Sequence, residues 1–246
     1  MRIHSIAFVS LALLLIFSGC VNQTRLEDDP MHGKTVSFET EDGFKLVGTL
    51  WQNTDSDKPR LILVHRFSAD RHSYDAFAQE AFARGYTVLS FDVRGFGESI
   101  QKGNQKLFFT SFTENGFRQI ANDIFSAKRF LNAEKVIVMG ASIGANAALD
   151  YGVLDPSANG LVLLSPGLNY KGIDVNASMI ENGIPMLIVA SKEDLYSAQS
   201  SQTIFEKSPL ADKKLLLLEQ AGHGTDMFIR NPSLTKTVLD WVQEHE

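Results

Sequence analysis

The stretch that decides the fold runs from Lys135 to Leu149 and reads KVIVMGASIGANAAL. It begins with a short apolar run between a charged residue and a glycine, and it ends in a run of good helix formers. This order predicts a strand, a sharp turn and a helix. The turn, Gly140 to Gly144, has the pattern G-x-S-x-G, which predicts a nucleophile elbow with Ser142 at its tip. We expect glycine at both ends because a side chain there would collide with the neighbouring strand or helix.

Length and composition predict one globular domain and exclude some classes of partner. A chain of 246 residues with 44% hydrophobic content can bury one large core. The formal net charge of -6 argues against nucleic acid as a partner, because no basic stripe is present to neutralise phosphates. The six His are scattered without metal-ligand spacing, so we expect no metal site, and no cofactor is implied.

The first residues have the pattern of a targeting segment, so residues 1–19 are predicted to be a signal peptide. A weakly basic start precedes an apolar run, Ile6 to Phe17, that is short for a membrane span. Ser18-Gly19-Cys20 then resembles a bacterial lipobox, in which the cysteine becomes the lipidated first residue of the mature protein. Phe17 departs from the usual Leu of that motif. An ordinary secretory signal with an incidental cysteine is the alternative.

Lipidation of Cys20 would tether the protein to a membrane on its periplasmic side. Residues 20–33 are polar, carry Pro30 and lack periodicity, so they are interpreted as a flexible tether. Val21 stands where lipoproteins retained at the inner membrane carry Asp, so this resemblance implies the outer membrane in a Gram-negative cell. We expect the folded domain to span residues 34–246.

The rest of the chain alternates strands and helices after an initial hairpin. The hairpin is predicted from alternating residues on both sides of Glu41-Asp42-Gly43. The expected strands and helices then follow in this order: Leu61–His65, His72–Arg84, Tyr86–Phe91, Glu114–Leu131, the elbow, Leu161–Leu164, Met186–Ala190, a helix after Asp194, Leu215–Leu218 and Ser233–Glu246. Repeated strand–helix units predict an α/β fold with a mostly parallel sheet and helices on both faces.

Candidate catalytic side chains follow the strands, where α/β sheets bind their ligands. Asp194 comes after one predicted strand and His223 after the last, so the chain order is Ser142, Asp194, His223. This is the order of the α/β-hydrolase triad, and with the elbow and the Asp92–Ser99 turn it makes the chain similar to that superfamily from about Lys34 to its end. The chain resembles its small bacterial esterase, dienelactone-hydrolase-like and serine-aminopeptidase-like branch.

The chemistry of acyl transfer explains why these residue types occur together. A serine hydroxyl is a poor nucleophile until a base removes its proton, so His223 is assigned as base toward Ser142 and Asp194 as the group that orients its ring. Glu193 is a rival for the acid, because a shift of one residue in the loop would present it instead. A loop histidine without function is the alternative for His223, and a turn serine in a binding protein for Ser142.

The resemblance implies an oxyanion hole made of two backbone amides, those of Ile143 and Phe67. Arg66 departs from the family pattern, in which Gly usually follows the histidine at the end of this strand. Its side chain must either point away from the pocket or narrow it. His65 itself is interpreted as a structural residue bonded to nearby backbone, and the Asp92–Ser99 turn as scaffold.

The segment from Ser165 to Pro185 is short and polar, whereas many lipases carry a large apolar lid at this place. We therefore expect a minimal lid and a pocket for small acyl groups. The favoured function is a lipid-anchored serine hydrolase that cleaves a small carboxylic ester through an acyl-enzyme on Ser142. A cell-envelope peptidase, an acyltransferase or thioesterase, or a non-catalytic binding module on the same fold are the alternatives, and Arg66 is the feature that favours the last.

Overall fold

The computed structural model describes residues 30–54 and 57–246, so the predicted signal peptide, Cys20 and most of the predicted tether lie outside the described residues. Ten strands of this part form one sheet: β1 Lys34–Glu39, β2 Phe44–Trp51, β3 Arg60–Val64, β4 Val88–Phe91, β5 Gln101–Lys102, β6 Gln105–Lys106, β7 Val136–Ala141, β8 Gly160–Leu164, β11 Met186–Ser191 and β12 Lys213–Leu218. Their order across the sheet is β12-β11-β8-β7-β3-β4-β2-β5-β6, with β1 paired to β2. A separate small hairpin consists of β9 Asn169–Tyr170 and β10 Ile173–Asp174.

The six strands from β4 to β12 along the sheet are parallel, and β2 joins β4 in antiparallel register. The described helices are α1 Asp75–Ala83, α2 Glu114–Arg118, α3 Ile120–Phe130, α4 Ile143–Leu154, α5 Ser178–Glu181, α6 Leu195–Lys207, α7 Asp226–Arg230 and α8 Ser233–Glu244. This is the α/β-hydrolase fold that the sequence predicted, including the N-terminal antiparallel hairpin. The carboxyl ends of the parallel strands lie at one edge of the sheet, where the candidate site is found.

Both faces of the sheet are covered, which explains why its strands are continuous apolar runs. In β3, Ile62 and Val64 pack into the core under α3, α4 and α6. Leu61 and Leu63 point to the opposite core, under α1 and α8. The central strand β3 therefore contributes to both cores at once.

The structure refines the predicted elements in several places, and the helix expected at His72–Arg84 begins as a 3-10 turn, Arg71–Tyr74, that leads into α1. The expected helix from Glu114 to Leu131 is two helices, α2 and α3, separated at Gln119. The β5–β6 hairpin extends the sheet beyond β2, although it has too few residues to give a periodic signal. The segment from Ser165 to Pro185 forms the β9–β10 hairpin and α5, a minimal lid that lies over the candidate site.

The chain enters the domain at the end of the sheet opposite to the candidate site. Residues Pro30–His32 form a 3-10 turn, and the Trp51 indole Nε1 donates a hydrogen bond of 2.9 Å to the Met31 carbonyl. Trp51 pairs with Val88, the first residue of β4. Among the described residues, no helix combines the length and the apolar character needed to cross a membrane.

Candidate active site

Ser142 has the strained backbone of a nucleophile elbow. It lies between β7 and α4 with φ 55° and ψ −118°, a conformation that is costly for any residue with a Cβ. The two glycines of the motif allow the close approach on either side. A Cβ at Gly140 would lie 2.1 Å from the Gly144 carbonyl oxygen, and one at Gly144 would lie 2.4 Å from that of Val64. The motif spacing therefore follows from backbone contact.

His223 and Asp194 form a hydrogen-bonded pair at the ends of β12 and β11. The distance from His223 Nδ1 to Asp194 Oδ2 is 2.6 Å. Because a carboxylate can only accept, Nδ1 carries the proton and Nε2 is left with a lone pair. This is the tautomer that a general base toward a serine hydroxyl requires.

Glu193, the rival acid, is directed elsewhere. Its carboxylate accepts a hydrogen bond of 2.7 Å from the Gly222 amide and contacts the Arg230 guanidinium at 3.2 Å. It therefore braces the backbone of the histidine loop, while Asp194 meets the ring. The sequence analysis assigned Asp194 and kept Glu193 as a rival, because the outcome depends on how the loop after β11 leaves the sheet.

The loop that carries His223 is held beside the elbow. The Gly224 amide donates to the buried Ser165 Oγ at 2.9 Å, and a Cβ on Gly224 would lie 3.4 Å from that of Ala141. The Ser142 amide in turn donates to the Leu164 carbonyl at 2.8 Å. The elbow and the histidine loop thus share the end of β8 as a common support.

The predicted oxyanion donors, the amides of Phe67 and Ile143, occupy the loop after β3 and the first turn of α4. An amide in the first turn of a helix has no intrahelical acceptor. The Phe67 amide makes no backbone hydrogen bond within the described part of the chain. Both donors can therefore serve a ligand.

Arg66 lies against the histidine loop. Its guanidinium contacts Asp226 at 3.1 Å and Ser68 Oγ at 2.7 Å, and its Cδ lies 3.1 Å from where a Cβ on Gly224 would be. The side chain therefore links the loop after β3 to the start of α7. Arg66, which stands where the family pattern usually has Gly, therefore adds a contact between two loops of the site.

His65 is a structural residue bonded to nearby backbone, as the sequence analysis expected. The ring is fully buried, Nδ1 donates to the Arg66 carbonyl at 2.8 Å, and Nε2 accepts from the Val93 amide at 3.1 Å. Burial lowers its pKa, which favours the neutral ring that these two bonds need. It fixes the loop after β3 to the loop after β4.

The Asp92–Ser99 turn is a scaffold of buried ion pairs. Asp92 accepts from the Arg71 amide at 2.8 Å and pairs with the Arg71 guanidinium, while Arg94 meets the fully buried Asp123 at 2.6 Å. A Cβ on Gly97 would lie 2.2 Å from the Asp92 carboxylate. These contacts connect the loop after β4 to α3 and to the turn that contains Arg71.

Tyr170 is a site residue that the sequence analysis missed. The β9–β10 hairpin brings its ring edge-on to the His223 ring, with centroids 6.4 Å apart, and places its hydroxyl beside α6. The same hydroxyl lies 2.9 Å from Ser197 Oγ. Two-residue strands leave no periodic signal, so only the aromatic residue in a polar segment could have drawn attention to it.

Asn146 connects the elbow helix to this hairpin. Its fully buried amide accepts from the Gly167 amide at 3.0 Å and donates to the Ile173 carbonyl at 2.9 Å. The hairpin is therefore fixed relative to Ser142 by a residue one helical turn further along the same helix. No group of three or more metal-ligating side chains converges in residues 30–54 and 57–246.

A family model described as serine aminopeptidase, S33, matches residues 55–181, just over half of the chain. The chain belongs to this family. The matched range includes the elbow and ends before Asp194 and His223. An uncharacterised protein of Mycobacterium tuberculosis is 27% identical over 212 residues, which cover 78% of this chain and 73% of that protein.

Solved structures of hydrolases share the fold. An esterase of Pyrococcus furiosus superposes with a TM-score of 0.71 at 18% identity, covering 86% of this chain and 90% of its own. A serine hydrolase of Cycloclasticus zankles superposes with a TM-score of 0.72 at 15% identity, covering 86% and 98%. These superpositions show that the chain has the α/β-hydrolase fold.

Proposed function

We propose that this protein is a serine hydrolase that cleaves a small carboxylic ester through an acyl-enzyme on Ser142, with His223 as base and Asp194 as its partner. The observation that carries the proposal is the backbone of Ser142. A serine held at φ 55° costs folding free energy, and such strain is found where function requires it. The elbow stands at the carboxyl edge of the sheet, where Ala141 lies against Gly224 of the histidine loop.

The reaction proceeds by two acyl transfers. Ser142 Oγ attacks the ester carbonyl while its proton passes to His223 Nε2, and the resulting oxyanion accepts hydrogen bonds from the Phe67 and Ile143 amides. The tetrahedral intermediate collapses as the bond to the leaving alcohol breaks and His223 returns the proton to that oxygen. Water then repeats the sequence on the acyl-enzyme, with Ser142 as the leaving group. Asp194 stabilises the imidazolium in both steps.

Contacts of the Arg66 side chain weigh against the binding-module alternative. Its guanidinium is engaged by Asp226 and Ser68, and this leaves the loop after β3 able to present the Phe67 amide. Family membership keeps amide cleavage as a second candidate, because the matching model is described as an aminopeptidase. Hydrolysis of aminoacyl p-nitroanilides measured beside p-nitrophenyl esters separates the two.

The test of the proposal is Ser142→Ala assayed on p-nitrophenyl esters of increasing acyl length. We expect hydrolysis to fall by a factor on the order of 10⁴ or more while the fold stays intact, because the variant removes the nucleophile. The unchanged fold is checked by circular dichroism and thermal unfolding. A variant with wild-type turnover would show that the reaction does not use the elbow.

The size of the acyl group follows from the minimal lid. The β9–β10 hairpin carries the Tyr170 ring against His223, and the Lys171 ammonium lies 4.6 Å from the centre of the Phe67 ring. Polar groups at this position supply little apolar surface to cover a long acyl chain. Burial of each methylene group contributes about 0.8 kcal/mol to binding only where such a surface is present. We expect the highest kcat/KM with acetyl to butyryl esters. A preference for chains of about ten carbons or more would contradict this part of the proposal.

We also propose that the mature protein begins at lipidated Cys20 and is tethered to the outer membrane, or to the only membrane of a cell without one. The described chain enters at Pro30–His32, at the end of the sheet opposite to Ser142. The site would then open away from the lipid surface, toward water-borne substrates. Mass spectrometry of the N-terminal peptide tests this, because a free thiol on Cys20 or a later mature start would overturn it.

A further inference from the structure

The turn that carries the Phe67 amide and the loop that carries His223 follow strands that are not neighbours. In the sheet, β7, β8 and β11 lie between β3 and β12, so the hydrogen bonds of the sheet do not join the two loops directly. The proposed reaction needs both loops at once, because the oxyanion donor and the base act on one ester group. Misplacement of such a group by about 1 Å lowers a rate by a factor on the order of 10².

The Arg66 side chain makes a direct contact from one of these loops to the other. Its guanidinium donates a hydrogen bond of 3.1 Å to Asp226 Oδ1, and its Cδ lies 3.1 Å from where a Cβ on Gly224 would be. The Asp226 amide in turn donates to the His223 carbonyl at 3.2 Å. The carboxylate that Arg66 holds therefore belongs to the same turn as the residue proposed as base.

Arg66 also begins the turn that presents Phe67. The Ala69 amide donates to the Arg66 carbonyl at 3.1 Å, which places Phe67 and Ser68 at the centre of a four-residue turn. A second nitrogen of the guanidinium donates to Ser68 Oγ at 2.7 Å. One planar group thus bonds the oxyanion turn with one nitrogen and the histidine loop with another.

The exposure of the ion pair argues against a mainly stabilising role. The side chains of Arg66 and Asp226 are 24% and 40% exposed. Ion pairs with this much contact with water contribute about 0–1 kcal/mol to stability, because water screens the charges and both side chains lose freedom. The pair can nevertheless fix the distance between the two loops, since its donor is rigid and planar.

We propose that Arg66 is a positioning residue, which through Asp226 holds the Phe67 amide and His223 at the separation that the reaction requires; this inference rests on the proposed serine mechanism. Arg66 transfers no proton and acts only through these groups. Its effect should appear in kcat, because placement of the donor and the base matters most as negative charge develops on the carbonyl oxygen. The KM for a small ester should change little.

The test compares Arg66→Gln with Arg84→Gln, using p-nitrophenyl acetate hydrolysis. Arg84 follows α1 and pairs with Asp240 at the same distance, 3.1 Å, with closely matched exposures of 30% and 44%. We expect Arg66→Gln to lower kcat about tenfold with KM within about twofold of the wild type, and Arg84→Gln to leave both within about twofold. Urea denaturation should place both variants within about 1 kcal/mol of the wild type in the free energy of unfolding.

A double-mutant cycle with Asp226→Asn provides a second, independent measurement. Alone, Asp226→Asn should lower kcat about as much as Arg66→Gln does, because either change removes the same contact. The double variant should lose no more than either single variant. Additive losses would show that the two residues act separately and would contradict the proposed link between the loops.

The outcomes separate this inference from the proposed function. If the wild type hydrolyses esters and Ser142→Ala does not, while Arg66→Gln keeps kcat within about twofold, the positioning role is overturned and the serine mechanism stands. A loss confined to KM would assign Arg66 to substrate binding, and equal losses of kcat in Arg66→Gln and Arg84→Gln would assign it to general surface charge. Either result would overturn the inference as well. If Ser142→Ala keeps wild-type activity, both proposals fall together.

Discussion

The elbow around Ser142 and the hairpin around Tyr170 meet at one site, but they are specified in different ways. The elbow is marked by a short motif, in which Gly140 lies against the Gly144 carbonyl of the same turn and Gly144 lies against the Val64 carbonyl of β3. The hairpin is held by Asn146 and by side chains of α6, which are distant in the chain. A short motif therefore identifies the candidate nucleophile, whereas the groups that surround it are visible only once the chain is folded.

The proposed acid of the triad is an intermediate case, and its replacement is expected to have the largest effect among the changes that test this comparison. Asp194 and Glu193 are adjacent, yet only Asp194 contacts the His223 ring. We expect Asp194→Asn to lower kcat by a factor on the order of 10³ to 10⁴, because the amide favours the wrong histidine tautomer. Glu193→Gln is the matched control and should change kcat by less than about threefold. The reverse order of effects would show that the loop presents Glu193 to the ring.

Gly144→Ala tests whether the elbow depends on the close contact between its backbone and that of β3. The new Cβ would lie 2.4 Å from the Val64 carbonyl oxygen, so β3 or α4 has to move. We expect a loss of about 3 kcal/mol or more in the free energy of unfolding, measured by urea denaturation. Gly183→Ala is the matched control, because a Cβ there meets nothing within 4 Å, and its change should stay within about 0.5 kcal/mol. Equal effects of the two changes would contradict the packing explanation.

Asn146→Ala tests the connection between the two regions. The change leaves the Gly167 amide and the Ile173 carbonyl without their partner. We expect a loss of about 2 kcal/mol in the free energy of unfolding together with lower kcat, since the hairpin carries Tyr170. The exposed Asn122 in α3 offers the control, where Asn122→Ala should be near neutral. If the activity of Asn146→Ala is unchanged, the position of the hairpin does not matter for the reaction.

The smallest expected effect concerns Asp155, at the C-terminal end of α4, and is a change in how the free energy of unfolding depends on pH. Burial alone would raise the pKa of Asp155, but hydrogen bonds from Lys128, Ser157 and Tyr151 lower it to about 2. Its stabilisation is therefore present above the unfolded pKa near 4 and is lost as the pH falls toward 2. Wild type should exceed Asp155→Asn by about 1–2 kcal/mol in unfolding free energy at pH 7, with the difference shrinking below pH 4. A difference that does not vary with pH would contradict this.

The same contrast explains what the sequence could predict. The elbow, the alternation of strands and helices, and the order of Ser142, Asp194 and His223 follow from patterns within short windows of sequence. The position of Tyr170 against His223 and the orientation of Arg66 toward Asp226 do not, because each depends on contacts between distant segments. A hairpin of two-residue strands has no periodicity of its own.

Labelling of the purified protein with a fluorophosphonate, followed by peptide mass spectrometry, tests the central claim most directly. The reagent forms a stable phosphonyl ester with a serine only where a base and an oxyanion hole activate it. The proposed mechanism predicts a single adduct on the peptide that contains Ser142, and none in Ser142→Ala. A folded wild type that does not react, or an adduct on a different residue, would contradict it.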